Sequence, residues 1–68
     1  MKKVFIFYVY YIPRVSTTFN NCITARSPYD WIIAMNMVAE VGEFTLCNWE
    51  FISDEEFEQL KAAGIQEM

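Results

Sequence analysis

Residues 4–12 read VFIFYVYYI, an unbroken run of β-branched and aromatic side chains. Such residues favour extended strands, and in this run they occupy both alternating faces of the chain. A strand that is apolar on both faces is typical of the middle of a sheet, where other elements cover it from both sides. Pro13 follows and ends the strand, because proline has no N–H to donate to a neighbouring strand. We therefore predict a central β-strand over residues 3–12.

A second strand is predicted over residues 15–25, where the side chains alternate in polarity. The set expected to face the core is Val15, Thr17, Phe19, Asn21, Ile23 and Ala25. The set expected to face solvent is Ser16, Thr18, Asn20, Cys22, Thr24 and Arg26. One solvated face indicates a strand at the edge of the sheet. The pair Asn20-Asn21 also fits a bulge or a turn, which would shorten this strand to residues 22–26.

A helix is predicted to begin after Ser27, because a serine N-cap is followed by proline at the first helical position. Asp30 completes a capping box with Ser27. The helix is expected to run from Pro28 to about Val41, with Gly42 supplying the left-handed residue beyond its C-terminus. A broad apolar face recurs at 100° per residue and is expected to pack on the sheet. Its members are Trp31, Ile32, Ala34, Met35, Val38 and Ala39.

A third strand and a second helix are predicted in the remaining sequence. The strand covers residues 44–52, and one of its sides is expected to carry Cys47, Trp49 and Phe51. The other side is expected to carry Phe44, Leu46, Asn48, Glu50 and Ile52. Ser53 and Glu56 form the S-x-x-E capping box of the second helix. Gly64 is expected to end that helix, with Ile65 closing a Schellman motif.

The element order is therefore β-β-α-β-α in a single domain spanning residues 1–68. With the apolar strand in the centre, the strand order is 2-1-3, and the first helix joins the outer strands as a right-handed crossover. The predicted fold class is α+β: a three-stranded mixed sheet with one main helix packed on a face and a short C-terminal helix. Cys22 and Cys47 would lie on opposite outer strands about 10 Å apart. That distance exceeds disulfide reach, so we predict no disulfide and two buried or half-buried thiols.

The composition argues against an enzyme or a metalloprotein. The 68 residues include no histidine, which is the commonest general base and the commonest metal ligand. The only glycines are Gly42 and Gly64, so no glycine-rich phosphate-binding motif is present. Carboxylates gathered in the first turn of a helix are typical of solvated residues that stabilise its positive end. We expect no catalytic residue, no metal site and no cofactor.

The N-terminus resembles the start of a secretory signal, because Lys2 and Lys3 precede the apolar run. Nine apolar residues are too few to span a bilayer, which takes about 20 residues in a helix. No small-residue cleavage pattern follows the run, since the next residues are Pro13 and Arg14. We therefore expect a buried strand, no membrane association and a cytoplasmic protein.

Two surfaces are candidates for binding a partner. Tyr29, Ile33 and Met37 recur at i, i+4 and i+8 as a second apolar stripe of the first helix, with Glu40 flanking it. The second candidate is an acidic cluster, expected to have Glu43 and Glu50 nearby and able to imitate a row of phosphates. Its members are Asp54, Glu55, Glu56 and Glu58.

The function expected from this pattern is that of a non-enzymatic module that binds and blocks a larger protein or protein complex. Small size, a net charge of −4 and the absence of a catalytic set are typical of phage- or prophage-encoded inhibitors of host nucleic-acid-handling or defence complexes, including anti-CRISPR proteins. One alternative is a nucleic-acid-binding domain that uses sheet aromatics and basic residues, which the negative charge disfavours. Another is a homodimeric structural protein. The aromatics considered for base stacking are Tyr8, Tyr10, Tyr11 and Trp49.

Overall fold

A computed structural model describes residues 2–68, which form one three-stranded sheet and two helices. The elements are β1 (Lys3–Ile12), β2 (Ser16–Thr24), α1 (Pro28–Val38), β3 (Glu43–Ile52) and α2 (Asp54–Ala62). The strand order β2-β1-β3 and the α+β class are as predicted. Because β1 pairs antiparallel with both neighbours, the outer strands run in the same direction. Every adjacent pair is antiparallel, so the sheet is antiparallel where a mixed sheet was predicted.

The main core lies between α1 and one face of the sheet, here called the α1 face. Its fully buried side chains come from three elements, and Trp31 is the largest of them. The Trp31 ring lies 5.3 Å from the Tyr8 ring and 6.1 Å from the Phe44 ring, measured between centroids. Aromatic pairs at these distances add to the free energy gained by burying their area. The core cluster is Val4, Ile6, Tyr8, Cys22 and Trp31.

The prediction for the two faces of β2 was right for Ile23, which is fully buried, but wrong for Cys22 and Thr24. Cys22 and Thr24, which were expected to face solvent, are buried on the α1 face opposite Ile6 and Val4. The Thr24 hydroxyl accepts a hydrogen bond from the Arg26 N–H at 3.1 Å, which satisfies one polar atom of this buried residue. Polarity alone did not identify the buried face, because a small thiol and a bonded hydroxyl both fit beneath a helix.

The opposite face of the sheet, here called the α2 face, is covered at one end only. Phe57 of α2 is buried there, and the Lys3 ammonium lies 4.4 Å from the centroid of its ring. The C-terminal residues pass beside β2, where the Met68 N–H donates to the Ile23 carbonyl. At the other end of this face Phe7 and Phe19 stay exposed, although β1 was predicted to be covered on both sides.

The predicted start and end of α2 are confirmed. The Ser53 hydroxyl accepts from the Glu56 N–H at 3.0 Å, and the Glu56 carboxylate accepts from the Ser53 N–H at 2.9 Å. At the other end Gly64 has a φ of 98°, and the Ile65 N–H donates to the Leu60 carbonyl in the predicted Schellman pattern. These local signals were sufficient because every partner lies within one turn.

The predicted end of α1 was wrong, because the helix stops at Val38 rather than near Val41. The Asn36 side chain explains this: its Oδ1 accepts from the Phe44 N–H at 2.8 Å, and its Nδ2 donates to the Phe44 carbonyl at 3.1 Å. This pair of bonds fixes the last turn of α1 to the first residues of β3. Gly42 does have a positive φ of 78°, but it serves the turn into β3 instead of the helix end.

A β-bulge in β3 changes which of its side chains share a face. Phe7 of β1 pairs with Asn48 and Tyr8 pairs with Leu46, so Cys47 is the extra residue. Side chains before and after Cys47 that strict alternation places on opposite faces therefore lie on the same face. Members of both predicted sets share the α1 face, namely Phe44, Leu46, Trp49 and Phe51.

Candidate protein-binding surface

The outer side of α1 carries an apolar stripe that the protein's own core does not use. The Ser27 hydroxyl accepts a hydrogen bond from the Asp30 N–H at 3.1 Å and caps the start of α1. Trp31 is fully buried, so its side of the helix faces the sheet. On the opposite side Tyr29, Ile33 and Met37 are 72%, 41% and 79% exposed. These three residues, here called the α1 stripe, share one side because they are four residues apart.

Two further apolar side chains at the end of α1 and in the turn after it are exposed. Val38 was predicted to face the core, but it is the last helical residue and its side chain is exposed. Val41 is also exposed, while its carbonyl accepts a hydrogen bond from the Tyr10 hydroxyl and so holds the turn against the sheet. Val38 follows Trp31 by seven residues, or two helical turns, so it lies on the Trp31 side of α1 and not on the side of the α1 stripe.

Within residues 2–68, α2 does not cover the α1 stripe. Helix α2 packs against β1 and β2, with Phe57 buried on the α2 face beside Lys3, whereas α1 packs on the other side of the sheet. A helix on a single sheet needs only one apolar side to fold. The second apolar side of α1 is therefore surplus to the fold and available to a partner.

The acidic cluster lies away from the α1 stripe, on the other side of the sheet. All four of its carboxylate residues are exposed on α2, but two of them already interact within that helix. Glu56 completes the capping box, and the Gln59 amide donates to Glu55 at 3.4 Å. These interactions support a structural role for part of the cluster, that of stabilising the start of α2.

Three glutamates were predicted to lie beside the candidate surfaces, and the structure places each of them in a different part of the fold. Glu40 lies in the turn after α1 and not on the helix, because the helix ends at Val38. Glu50 faces α2 beside Glu56, as predicted. Glu43 begins β3, about 23 Å from Glu50 at the usual rise of a strand, and was wrongly placed near the acidic cluster.

The aromatics considered for base stacking fall into different environments. Tyr8 is buried, Tyr10 is half-buried against Phe44, and Tyr11 is exposed on the α2 face. Trp49 is exposed on the α1 face, and its neighbour there is Phe51. Trp49 and Phe51 share a side of β3 as predicted, although Phe51 was not among the aromatics considered for base stacking.

The two thiols have opposite environments, with Cys22 in the core and Cys47 exposed at the bulge. Cys47 was therefore wrongly expected to be at least half-buried. Burial raises the pKa of the Cys22 thiol to about 11. Burial also raises the pKa of the neighbouring Tyr8 phenol, with a smaller contribution from Cys22. Both buried groups are therefore neutral at physiological pH.

We expect one thiol of the folded protein to react with a disulfide reagent at pH 8, and two in urea. The thiolate is the reactive form, so the exposed Cys47 reacts while the buried and protonated Cys22 does not. Burial of the neutral Cys22 thiol raises its pKa from 9.0 in the unfolded chain to about 11 in the folded protein. The stabilisation linked to this shift is therefore complete below pH 9 and is lost as the pH rises to about 11. Titration of the wild type and Cys47→Ser with Ellman's reagent counts the reactive thiols in the folded protein and in urea. Rapid reaction of folded Cys47→Ser would contradict it.

No protein-family model matches the chain, and neither a curated protein nor a solved structure matches it. No helix within residues 2–68 is long and apolar enough to cross a membrane. The same residues contain no group of three or more cysteine, aspartate or glutamate side chains arranged to hold a metal ion.

Proposed function

We propose that this protein is a non-enzymatic interaction domain that binds a larger protein through the α1 stripe. The observation that carries the proposal is the exposure of Tyr29, Ile33 and Met37 on the side of α1 that faces away from the sheet. Contiguous apolar surface that the fold does not need is typical of protein-binding sites. Methionine is well suited to such a surface, because its flexible and polarisable side chain adapts to different partners.

The chemistry of the surface defines the partner that fits it. The α1 stripe extends about 12 Å along the helix axis, which is the rise of eight residues. It contains no charged residue, while Asp30 and Glu40 lie at its two ends. A shallow apolar groove with basic residues at its rim would complement this helix, in the manner of other helix-in-groove complexes.

A more specific form of the proposal is a phage- or prophage-encoded inhibitor of a nucleic-acid-handling or defence complex, similar in style to anti-CRISPR proteins. The exposed carboxylates of α2 support this target class, because they can occupy a surface that otherwise binds phosphates. We propose the host cytoplasm as the place of action. The exposed free thiol of Cys47 suits a reducing compartment.

The double variant Ile33→Asp/Met37→Asp is expected to lose the partner while the fold is retained. Each aspartate replaces an exposed apolar side chain, so the core is unchanged, but the interface would have to bury two unpaired charges. We expect partner recovery in affinity capture from host-cell lysate to fall by more than about tenfold, since the loss of one hot-spot residue costs about 2 kcal/mol or more. Quantitative mass spectrometry of the captured proteins measures the loss.

Val15→Asp/Phe19→Asp is the control, because it also places two aspartates at exposed apolar positions but away from α1. A protein captured by the wild type and the control, and lost from the α1 variant, supports the proposal. Equal capture by all three proteins contradicts it. Light scattering of the purified protein tests the homodimer alternative, and a dimer dissociated by the α1 substitutions would show that a second copy occupies the stripe.

A further inference from the structure

A groove of about 670 Å³ opens at the end of the sheet beside the first turn of α1. Its size is within the range of sites that hold small ligands or parts of larger ones. Four separated parts of the chain form it: the N-terminus, the β2–α1 connection, the first turn of α1 and the end of β3. The lining residues are Lys2, Val4, Ala25, Arg26, Ser27, Asp30 and Phe51.

Two exposed aromatic rings form a platform that leads into this groove. Trp49 and Phe51 pair with Ile6 and Val4, so both side chains emerge on the α1 face near the outer edge of the sheet. Their ring centroids are 5.0 Å apart in an edge-to-face arrangement, and about half of each side chain is exposed. Exposed aromatic rings on one face of a strand are the kind of surface on which the bases of a single strand stack.

Positive charge lies beside the platform. The Lys2 ammonium is 4.6 Å from the centroid of the Phe51 ring, and Arg26 lines the same groove. Neither cation forms a salt bridge within residues 2–68. Asp30 supplies the one carboxylate among the lining residues, so the groove carries a surplus of positive charge in a protein of net charge −4. Unpaired cations next to exposed rings are complementary to a ligand that combines planar groups with negative charge.

We propose that this groove binds single-stranded nucleic acid, with Trp49 and Phe51 stacking on two neighbouring bases and Lys2 and Arg26 contacting phosphates. Stacking requires bases that are free of a duplex, because the rings must reach their flat faces. The site shares no residue with the α1 stripe, so a partner protein and a nucleic-acid strand would use different parts of the surface. It narrows the basic and aromatic surface considered from sequence to Trp49, Lys2 and Arg26, and adds Phe51; the three tyrosines considered there take no part.

The test is fluorescence anisotropy at low salt with a labelled oligothymidylate or oligouridylate of about 12 nucleotides. We expect Trp49→Ala to weaken binding by roughly 5- to 100-fold, the usual effect of losing one stacked base. Phe51→Ala provides a second variant with the same expectation. Tyr11→Ala is the matched control, because Tyr11 is 43% exposed against 41% for Trp49 but lies on the α2 face. Circular dichroism checks that each variant is folded.

The salt dependence of binding tests the cations separately. We expect Arg26→Gln to lower the slope of log K against log salt by roughly one, as for the loss of one phosphate contact. Arg14→Asn is the control, since Arg14 lies in the β1–β2 turn with a φ of 65° that asparagine tolerates. The proposal is overturned if the wild type does not bind the oligonucleotides, if duplex DNA binds as well as single strands, or if Tyr11→Ala and Trp49→Ala weaken binding equally.

Discussion

Trp31→Ala is expected to lower the free energy of unfolding by about 3–5 kcal/mol, the usual cost of removing a large buried aromatic ring. Trp31 is fully buried and packs against the rings of Tyr8 and Phe44. A domain of this size has a total stability of roughly 3–10 kcal/mol from the usual value per residue. The substitution therefore removes a large part of the stability, and urea denaturation followed by far-UV circular dichroism measures it.

Trp49→Ala is the control for this prediction, because Trp49 is half-exposed and its removal leaves no internal cavity. Its expected cost is about 1 kcal/mol or less. Trp31→Phe is expected to be intermediate, since it keeps an aromatic ring in the core. It also removes a buried indole N–H that has no hydrogen-bond partner within residues 2–68. Equal urea midpoints for Trp31→Ala and Trp49→Ala would contradict the position of the core between α1 and the sheet.

Gly42→Ala is expected to destabilise the protein by more than the conformational cost alone. Gly42 has a φ of 78°, and a left-handed conformation costs a residue with a Cβ roughly 1–2 kcal/mol. A Cβ at this position would also lie 2.4 Å from the Tyr11 carbonyl oxygen and 3.0 Å from Cγ1 of Ile12. Since backbone atoms cannot move aside as a flexible side chain does, the turn into β3 must shift. Urea denaturation gives the change in the free energy of unfolding.

Gly64→Ala is the matched control for that substitution. Gly64 also has a positive φ, of 98°, but a Cβ there would meet no atom within 4 Å. The two variants therefore share the conformational cost and differ in the clash. A clearly larger decrease in the free energy of unfolding for Gly42→Ala than for Gly64→Ala supports the close approach of this turn to β1. Equal decreases would show that the turn does not pack there.

The parts of the fold that sequence predicted well are those determined by near neighbours. The capping box at Ser53 and the Schellman motif at Gly64 each need partners within one turn, and both are present. The central position of β1 followed from the apolar character of residues 4–12, which needs no knowledge of other segments. Local propensity and tertiary structure agree at these places.

The errors occurred where a distant residue decides local structure. Asn36 ends α1 by bonding to Phe44, eight residues later, and helical periodicity contains no sign of this contact. The bulge at Cys47 exchanges the faces of β3, and no glycine or other sequence signal marks it. Cys22 is buried because its side chain joins the core cluster with Ile6 and Trp31, so its polarity gave the wrong face.

The same distinction applies to the two candidate sites. The α1 stripe lies on one helix, so its exposure could be inferred from the spacing of Ile33 and Met37 together with the position of the core face. The groove beside Phe51 is built from four separated segments, and only the folded chain brings Lys2 and Arg26 to the same place. A pattern search along the sequence cannot find a site of that kind.

Site-specific photocrosslinking tests the central claim, that α1 carries the partner-binding surface, most directly. A photoreactive phenylalanine analogue is placed at Met37 in one protein and at Phe19 in another, because both positions are strongly exposed and lie on opposite sides of the sheet. After irradiation in host-cell lysate, we expect a discrete crosslinked protein from position 37 that is absent from position 19. Crosslinking from position 19 alone, or from neither position, would contradict it.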